Sequence, residues 1–220
     1  MSAREQILGR IRARQGRGAA DLAAGREAVD LHLAAHPSGP RPAIGPDLVA
    51  RFCERARFLS ASVDTLTSVD AVPGAVAAYL EAQQLPQKAV CTPAISSLPW
   101  AASGLTVEAR PATGDDFVGI TGVFCAIAET GTLMLLSGRD TPSTVSLLPE
   151  THIAVLPRSR IVSGMEDAWA LLRAEHGALP RAVNFVSGPS RTADIEQTVT
   201  LGAHGPYRVH IILLENPPAG

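Results

Sequence analysis

The sequence is short of lysine, since Lys88 is the only lysine and every other basic side chain apart from histidine is an arginine. Lysine is the residue that forms Schiff bases and that reaches the phosphates in a P-loop. Lys88 precedes the apolar run at residues 89–91, which places it at a solvated strand entrance. Neither Schiff-base nor P-loop chemistry therefore has its usual agent in this chain.

Cysteine is also scarce, with Cys53, Cys91 and Cys125 far apart in the sequence and never in a Cys-x-x-Cys pair. This spacing argues against a disulfide framework, a zinc knuckle or an iron–sulfur cluster bound by this chain alone. The sequence predicts three buried free thiols and no bound cofactor.

Long apolar runs and excess charge are missing as well. Runs such as residues 211–214 are far shorter than the roughly 20 residues of a membrane-spanning helix. The N-terminus has helical periodicity but no apolar signal core, so we expect a cytoplasmic protein. A net charge of −2 and a pI near 6.3 make nucleic acid an unexpected partner.

What the sequence does contain indicates one main domain, because 220 residues with 46% hydrophobic and 18% charged side chains suit a compact fold. Residues 3–14 have the spacing of an amphipathic helix, and a Pro/Gly-rich stretch follows. The predicted organisation is an N-terminal helical appendage at 1–35, a linker at 36–46 and an α/β domain at 47–216.

Helical and strand patterns alternate along the domain, which predicts βα units around a mostly parallel sheet in a three-layer α/β fold. The predicted helices are 47–59, 73–84, 94–102 and 165–173, and the predicted strands are 63–69, 89–92, 105–109, 153–156, 183–186 and 209–214. Residues 118–128 and 132–136 lie too close for a helical crossover and form either a hairpin or one bulged strand. Gly131 would supply a positive φ at their turn.

The stretch VSGPSRTADIE at residues 186–196 follows a predicted strand, and Thr192 onward is predicted to begin a short helix. Backbone amides at such a junction, the Arg191 guanidinium and nearby hydroxyls fit a bound anion. A helix N-cap with complementary acids explains the hydroxyls and carboxylates equally well. The predicted anion-binding residues are Ser187, Gly188, Ser190, Arg191 and Thr192, with Asp194 and Glu196 in support.

Glu129 stands between two apolar runs, where partial desolvation would suit it to acid–base or nucleophilic work. The alternative is a turn acid bonded to neighbouring amides. Its predicted supporting residues are Thr121, Gly122, Thr130 and Gly131.

Two histidines complete the candidates. His152 precedes a buried-type strand and either faces a crevice or satisfies a core hydrogen bond. His204 lies in a glycine-flanked loop, but its spacing from Asp194 and Glu196 fits no standard metal site, so we predict no metal.

Five motifs, in this order, resemble the lactate-utilisation protein C family, the short members of the LUD-domain group. They are GITG at 119–122, AIAETGT at 126–132, SLLPETHIAVLPRSRIV at 146–162, NFVSGPSRTADIEQ at 184–197 and LGAHGP at 201–206. The resemblance implies a fold related to ribose-5-phosphate isomerase, glucosamine-6-phosphate deaminase and the coenzyme A transferases. Phe124 departs from the pattern, because many relatives are expected to carry an acid there.

The resemblance also implies a role in bacterial oxidation of L-lactate to pyruvate, beside two iron–sulfur partner proteins that carry the clusters. The first hypothesis is therefore an accessory subunit with a small-anion pocket for a carboxylate or phosphate near Arg191 and Glu129. The second is a stand-alone isomerase or coenzyme A transferase that uses Glu129 as base or nucleophile.

Overall fold

The computed structural model describes residues 2–16, 19–37, 39–192, 200–201 and 205–215. The chain divides into two compact units, residues 1–41 and 42–220, and the predicted linker spans this division. The first unit holds helices α1 (Ala3–Gln15) and α2 (Ala19–Ala35). A capping box begins α1, since the Glu5 N–H donates to Ser2 Oγ and the Ser2 N–H donates to the Glu5 carboxylate.

The second unit contains four helices and twelve strands among its described residues. The helices are α3 (Leu48–Phe58), α4 (Val72–Ala82), α5 (Thr144–Leu147) and α6 (Met165–His176). The strands are β1 (Ser62–Leu66), β2 (Lys88–Cys91), β3 (Thr106–Ala109), β4 (Val118–Gly122), β5 (Cys125–Ile127), β6 (Thr132–Leu136), β7 (Thr151–Pro157), β8 (Ile161–Val162), β9 (Val183–Val186), β10 (Arg191–Thr192), β11 (Thr200–Leu201) and β12 (Arg208–Leu214). None of the helices in the described part of the chain is both long enough and apolar enough to cross a membrane.

The predicted α/β class is confirmed by a six-stranded sheet in the order β1-β12-β7-β4-β2-β3, in which every neighbouring pair is parallel. Its central strands are buried on both faces, as parallel sheets require. Ile120, Ile153 and Ile212 pack on the side of α4. Ala154, Leu156 and Ile211 pack on the opposite side, against α3 and a second sheet.

The second sheet has the order β8-β5-β6-β9, with β5 and β6 forming a hairpin. The hairpin was one of the two predicted arrangements, and Gly131 in its turn has a φ of 71°, as predicted. The long run 118–128 is nevertheless not one strand. Val123 N–H donates to Val155 O in the parallel sheet, whereas Phe124 N–H donates to Met134 O in the hairpin, so the chain passes between sheets at this peptide.

The predicted helix at 94–102 is wrong, and the helix predicted from Thr192 does not begin at that residue. The region 94–102 holds two separate 3-10 turns, Pro93–Ile95 and Trp100–Ser103, because Pro99 has no N–H to donate to a continuous helix. Thr192, where a short helix was predicted to begin, belongs with Arg191 to strand β10, which pairs with β11 in an antiparallel ribbon. Residues 193–199, over which that helix would continue, lie outside the described residues. At these two residues of β10 the backbone therefore belongs to a strand rather than to a helix N-terminus.

Helix α5 lies directly over strand β4 at Gly119. A Cβ atom added to Gly119 would stand 1.9 Å from the Val145 carbonyl oxygen and 3.0 Å from Pro149 Cγ. Real Cβ atoms do not approach so closely, and the nearest obstacle is backbone, which cannot rotate away. Only glycine at position 119 lets this short helix sit against the sheet.

We predict that Gly119→Ala destabilises the protein by at least about 2 kcal/mol, because it forces α5 away from β4. The matched control is Gly74→Ala in α4, where an added Cβ has nothing within 4 Å and alanine is the better helix former. Urea unfolding of both variants measures the difference. Equal stability of the two variants would contradict the close approach.

Candidate functional site

A cavity of about 250 Å³ opens at the carboxyl ends of β2 and β4. The chain leaves β2 toward β3 at one edge of the sheet, whereas β4, β7 and β12 follow one another toward the other edge. The strand order therefore changes direction between β2 and β4. In open parallel sheets, ligands bind at this switch point, outside the carboxyl ends of the strands.

Side chains from both sheets and from the segment that leads into α5 line this cavity, which we call the switch-point cavity. Its hydroxyl and amide groups come from Thr92, Thr121, Thr141, Ser143, Ser146 and Asn184. Its apolar surface comes from Ala94, Val123, Phe124, Leu135, Leu136 and Pro142, with backbone at Gly122. His176 is the one titratable side chain among these lining residues, and it is exposed.

Two hydroxyls of the switch-point cavity have a nitrogen partner behind them. Thr121, with 2% of its surface exposed, has its Oγ1 2.8 Å from His152 Nε2. Ser143 Oγ lies 3.0 Å from Asn184 Nδ2, which donates to it. A third hydroxyl, that of Thr92, is equally buried, and its Oγ1 has no hydrogen-bond partner among the described protein groups.

His152 is fully buried in β7 and does not line the cavity itself. Burial disfavours the charged imidazolium and lowers the pKa of His152 to about 4, so the ring is neutral near pH 7. Its Nε2 faces Thr121, whereas its Nδ1 is buried without a partner among the described groups. Of the two roles predicted for His152, the structure places it in the core, one hydrogen bond behind the cavity.

The outer wall of the cavity is built around Phe124. The Arg160 guanidinium stacks 4.7 Å from the centre of the Phe124 ring, and the His176 ring meets the same ring edge-on at 5.4 Å. Arg160 also donates to the Phe124 carbonyl at 2.6 Å and forms a bidentate pair with Glu175. Phe124, where relatives were expected to carry an acid, thus gives the cavity an aromatic wall.

A second, larger cavity of about 490 Å³ adjoins the first on the α4 side of the sheet. Ala94, Gly122 and Val123 line both cavities. The second cavity is mainly apolar, with Asp70 and Ser97 as its polar side chains. The carboxyl edge of the sheet therefore offers two mainly apolar cavities that share a boundary, and the smaller one carries several hydroxyl groups.

The residues predicted around Glu129 and the SGPSR loop meet at the opposite end of the small sheet. Thr130 donates to Thr132 at 2.8 Å, and Thr132 Oγ1 lies 2.7 Å from Ser187 Oγ. Gly131 and Gly188 both have positive φ and both press on the end of α3, where an added Cβ would stand 2.6 Å from Ala56 N and 2.2 Å from Leu59 O, respectively. The two predicted motifs therefore form one cluster, which we call the turn cluster.

Arg191 and Glu129 flank the turn cluster. Exposed Arg191 donates through Nη2 to Ser60 Oγ, just after α3, and the Ser190 N–H donates to Pro206 O. Glu129 is half-buried, and its N–H donates to Ser163 O. The anion-binding and catalytic roles of these residues remain predictions.

The turn cluster is separate from the switch-point cavity. Strand β6 takes four residue-to-residue steps from Thr132 at the cluster to Leu136 at the cavity, a distance of roughly 13 Å at the rise of a strand. Of the predicted supporting residues, Thr121 and Gly122 line the cavity, whereas Thr130 and Gly131 belong to the cluster. Thr192 is described only as part of β10, and Asp194, Glu196 and His204 lie outside the described residues.

Several cavity residues were missed by sequence reasoning, among them Thr92, Ser143 and Asn184. Thr92 and Ser143 stand next to prolines, and Asn184 stands between two apolar residues, so local patterns do not distinguish them from turn or strand residues. The one available signal was Asn184 inside the apolar run 183–186, because a polar side chain in a buried strand needs a partner. Among the described residues, no three His, Cys, Asp or Glu side chains cluster as metal ligands would.

The fold and the cavity together define the class: an α/β protein with a ligand-sized cavity at the switch point of a parallel sheet. The family follows from sequence comparison, since a model of the LUD domain matches residues 80–214. The chain belongs to the LUD-domain family.

Individual proteins and one solved structure are also similar to this chain. "Lactate utilization protein C" of Anoxybacillus flavithermus is 40% identical over 97 residues, covering 44% of this chain and 43% of that protein. The protein of the same name from Bacillus subtilis is 41% identical over 102 residues, covering 45% and 42%. The matched part thus spans less than half of these relatives. A crystal structure of a DUF162 family protein from Deinococcus radiodurans shares 26% identity at a TM-score of 0.61, covering 79% of this chain and all of that one.

We predict that His152 makes the protein less stable as the pH falls from about 6.5 to about 4. In that range the unfolded chain binds a proton at the ordinary imidazole pKa of 6.5, while the folded chain binds it only near pH 4. His152→Gln removes this contribution, so the loss of unfolding free energy between pH 7 and pH 5 should shrink by about 2 kcal/mol.

Urea unfolding at the two pH values measures this loss. The control is His32→Gln on the exposed face of α2, which should leave the loss unchanged. Buried His210, whose pKa is also lowered by burial, keeps part of the pH dependence in every variant. An unchanged pH dependence in His152→Gln would show that His152 is accessible to protons in the folded state.

Proposed function

We propose that this chain acts in lactate utilisation as an accessory subunit of an iron–sulfur complex that oxidises L-lactate to pyruvate. In this proposal the chain binds a small organic molecule in the switch-point cavity, and partner proteins carry the electrons. The support is the similarity to proteins named for lactate utilisation, together with a cavity at the position where parallel sheets bind ligands.

The unpaired hydroxyl of Thr92 is the observation that favours the switch-point cavity as the ligand site. Thr92 is 98% buried yet leaves its hydroxyl unpaired among the described protein groups, and it lines the cavity. A buried polar group without a partner costs about 1–3 kcal/mol, so a ligand that bonds to the Thr92 hydroxyl would recover this free energy on binding. The volume of about 250 Å³ lies just below the usual range of drug-sized pockets and suits a small metabolite.

The thiols favour placing the clusters on partner proteins. Cys53, Cys91 and Cys125 are buried in three different hydrophobic clusters, as the sequence predicted for free thiols. Burial raises the pKa of Cys91 and of Cys125 to about 11, which keeps both thiols protonated near pH 7. Since the thiolate is the form that binds iron, these side chains are poor cluster ligands.

Reconstitution with the two iron–sulfur proteins of the same organism tests the proposal. The expected result is lactate-dependent reduction of an electron acceptor that is lost when this chain is omitted. Ala94→Phe, which places a ring at the boundary of both cavities, should lower the rate at least about tenfold, a change of about 1.4 kcal/mol in activation free energy.

The matched control is Ala102→Phe, at an exposed alanine in the 3-10 turn Trp100–Ser103, which should leave the rate unchanged. A rate that does not depend on this chain would refute the accessory role. Equal rates for the two phenylalanine variants would refute the cavity as its site.

The turn cluster favours a second candidate, a stand-alone isomerase or coenzyme A transferase. Glu129 is half-buried beside the hydroxyl chain of Thr130, Thr132 and Ser187, and Arg191 lies at the same end of the small sheet. A carboxylate with hydroxyls and a guanidinium nearby is a reasonable constellation for acyl or proton transfer. The bound anion in this candidate is a phosphate or a carboxylate.

This candidate predicts that the purified chain alone turns over an acyl-coenzyme A or a sugar phosphate. Glu129→Gln should then lower kcat about 100-fold or more with folding unchanged, and Arg191→Ala should raise KM. The control is Glu54→Gln at an exposed position of α3. Absence of turnover by the purified chain rules the candidate out.

A further inference from the structure

The hydrogen-bond geometry behind the switch-point cavity shows which kind of atom the cavity receives. His152 Nδ1 is buried without a partner among the described groups, whereas Nε2 lies 2.8 Å from Thr121 Oγ1. A neutral imidazole carries its proton on one of the two nitrogens. Buried N–H groups without acceptors are rarer than buried acceptors without donors. The proton therefore belongs on Nε2, which donates to Thr121.

This tautomer determines what Thr121 offers to a ligand. Its oxygen already accepts a hydrogen bond from His152, so its own hydrogen is free to be donated into the cavity. The Ser143 hydroxyl hydrogen is likewise free to be donated, because its Oγ accepts a hydrogen bond from Asn184 Nδ2 at 3.0 Å. Both hydroxyls belong to residues that line the cavity, and the unpaired hydroxyl of Thr92 lines the same space.

We infer that the switch-point cavity recognises a carboxylate or carbonyl oxygen of its ligand through the hydroxyl hydrogens of Thr121 and Ser143. His152 and Asn184 are positioning residues, since each holds one of these hydroxyls in the donating direction without touching the ligand. The inference deepens the proposed function and rests on the cavity being the ligand site.

The charge of the cavity narrows the ligand class further. Among the described residues that line it, none is lysine, arginine, aspartate or glutamate. Tight binding of a phosphate group usually relies on arginine, lysine or a long helix N-terminus, because a dianion needs strong charge compensation. Neutral hydroxyl donors fit a carbonyl or a singly charged carboxylate, and the apolar wall at Phe124 and Leu135 fits a short carbon chain. The ligand class is a small carboxylic acid.

Calorimetric titration of the full chain with pyruvate and L-lactate tests this inference, with isopropylamine as a probe of similar size that only donates hydrogen bonds. Wild type should bind at least one of the carboxylates and not the amine. Thr121→Val, which keeps the shape but removes the hydroxyl, should weaken carboxylate binding roughly tenfold or more. Thr121→Ser should restore binding to within about threefold of wild type.

The positioning role of His152 has its own variants. His152→Leu removes the donor behind Thr121 and should weaken binding about as much as Thr121→Val. His152→Gln carries an amide N–H that can donate to Thr121 and should retain most of the affinity. Imidazole ¹⁵N chemical shifts of the wild-type protein report the tautomer directly and do not depend on the folding of any variant. A proton on Nδ1 would overturn the inference.

The outcomes separate this inference from the proposed function. Carboxylate binding that Ala94→Phe abolishes but Thr121→Val leaves unchanged would overturn the inference and leave the cavity as the ligand site. A preference for the amine over the carboxylates would also overturn the inference and leave the cavity as the ligand site. If no probe binds to wild type, the inference fails together with the cavity as the ligand site of the proposed function, whereas the accessory role is tested by omitting the chain from the reconstituted reaction.

Discussion

The contact between the Val145 carbonyl oxygen and Gly119 fixes the switch-point cavity. Helix α5 has only four residues and would not form by itself in water. It is held against β4 because glycine leaves room for its backbone, and because the Ala112 N–H donates to Thr144 Oγ1. The close approach of the α5 backbone to the β4 backbone therefore brings Ser143 and Ser146 to the same cavity as Thr121. Without it, the cavity would lose its hydroxyl-bearing wall.

The opposite wall depends on the passage of the chain between the two sheets at residues 123 and 124. Arg160 holds this passage in place by donating to the Phe124 carbonyl, stacking on the Phe124 ring and pairing with Glu175 at the end of α6. The pair with Glu175 keeps the guanidinium charged and oriented, and the pKa of the Glu175 carboxyl is lowered by the same contact. One arginine thus ties the parallel sheet, the hairpin and the last helix before β9 together.

The sequence predicted the parallel sheet well because buried parallel strands are apolar runs, and helices α3, α4 and α6 have clear apolar faces. It could not show that 118–128 divides between two sheets. Val123 and Phe124 are as apolar as their neighbours, and the division depends on which distant carbonyls receive their N–H groups. The helix start predicted at Thr192 was wrong for a related reason, since Arg191 and Thr192 resemble the start of a helix in sequence but pair with a distant strand.

The sequence predicts ligand-binding loops at the glycine-containing motifs, yet backbone geometry alone explains why positions 131 and 188 are glycine. Both allow a turn with positive φ to press on the end of α3. The sequence cannot distinguish a glycine that admits a phosphate from one that admits a helix. The cavity residues, in contrast, do not stand out in the sequence. Thr92, Ser143 and Asn184 are recognised as possible ligand-binding residues only when their burial and hydrogen bonds are known.

The energetics of the switch-point cavity explain why hydroxyls rather than charges suit it. A buried guanidinium or carboxylate without a partner would cost several kcal/mol in the free protein, whereas an unpaired hydroxyl costs about 1–3 kcal/mol. The hydroxyls of Thr121 and Ser143 are already anchored from behind, whereas Thr92 bears the full cost before a ligand arrives. A ligand that accepts from these groups recovers that free energy and gains bonds whose direction is set in advance. The site is thereby preorganised by His152 and Asn184, two uncharged side chains behind the ligand.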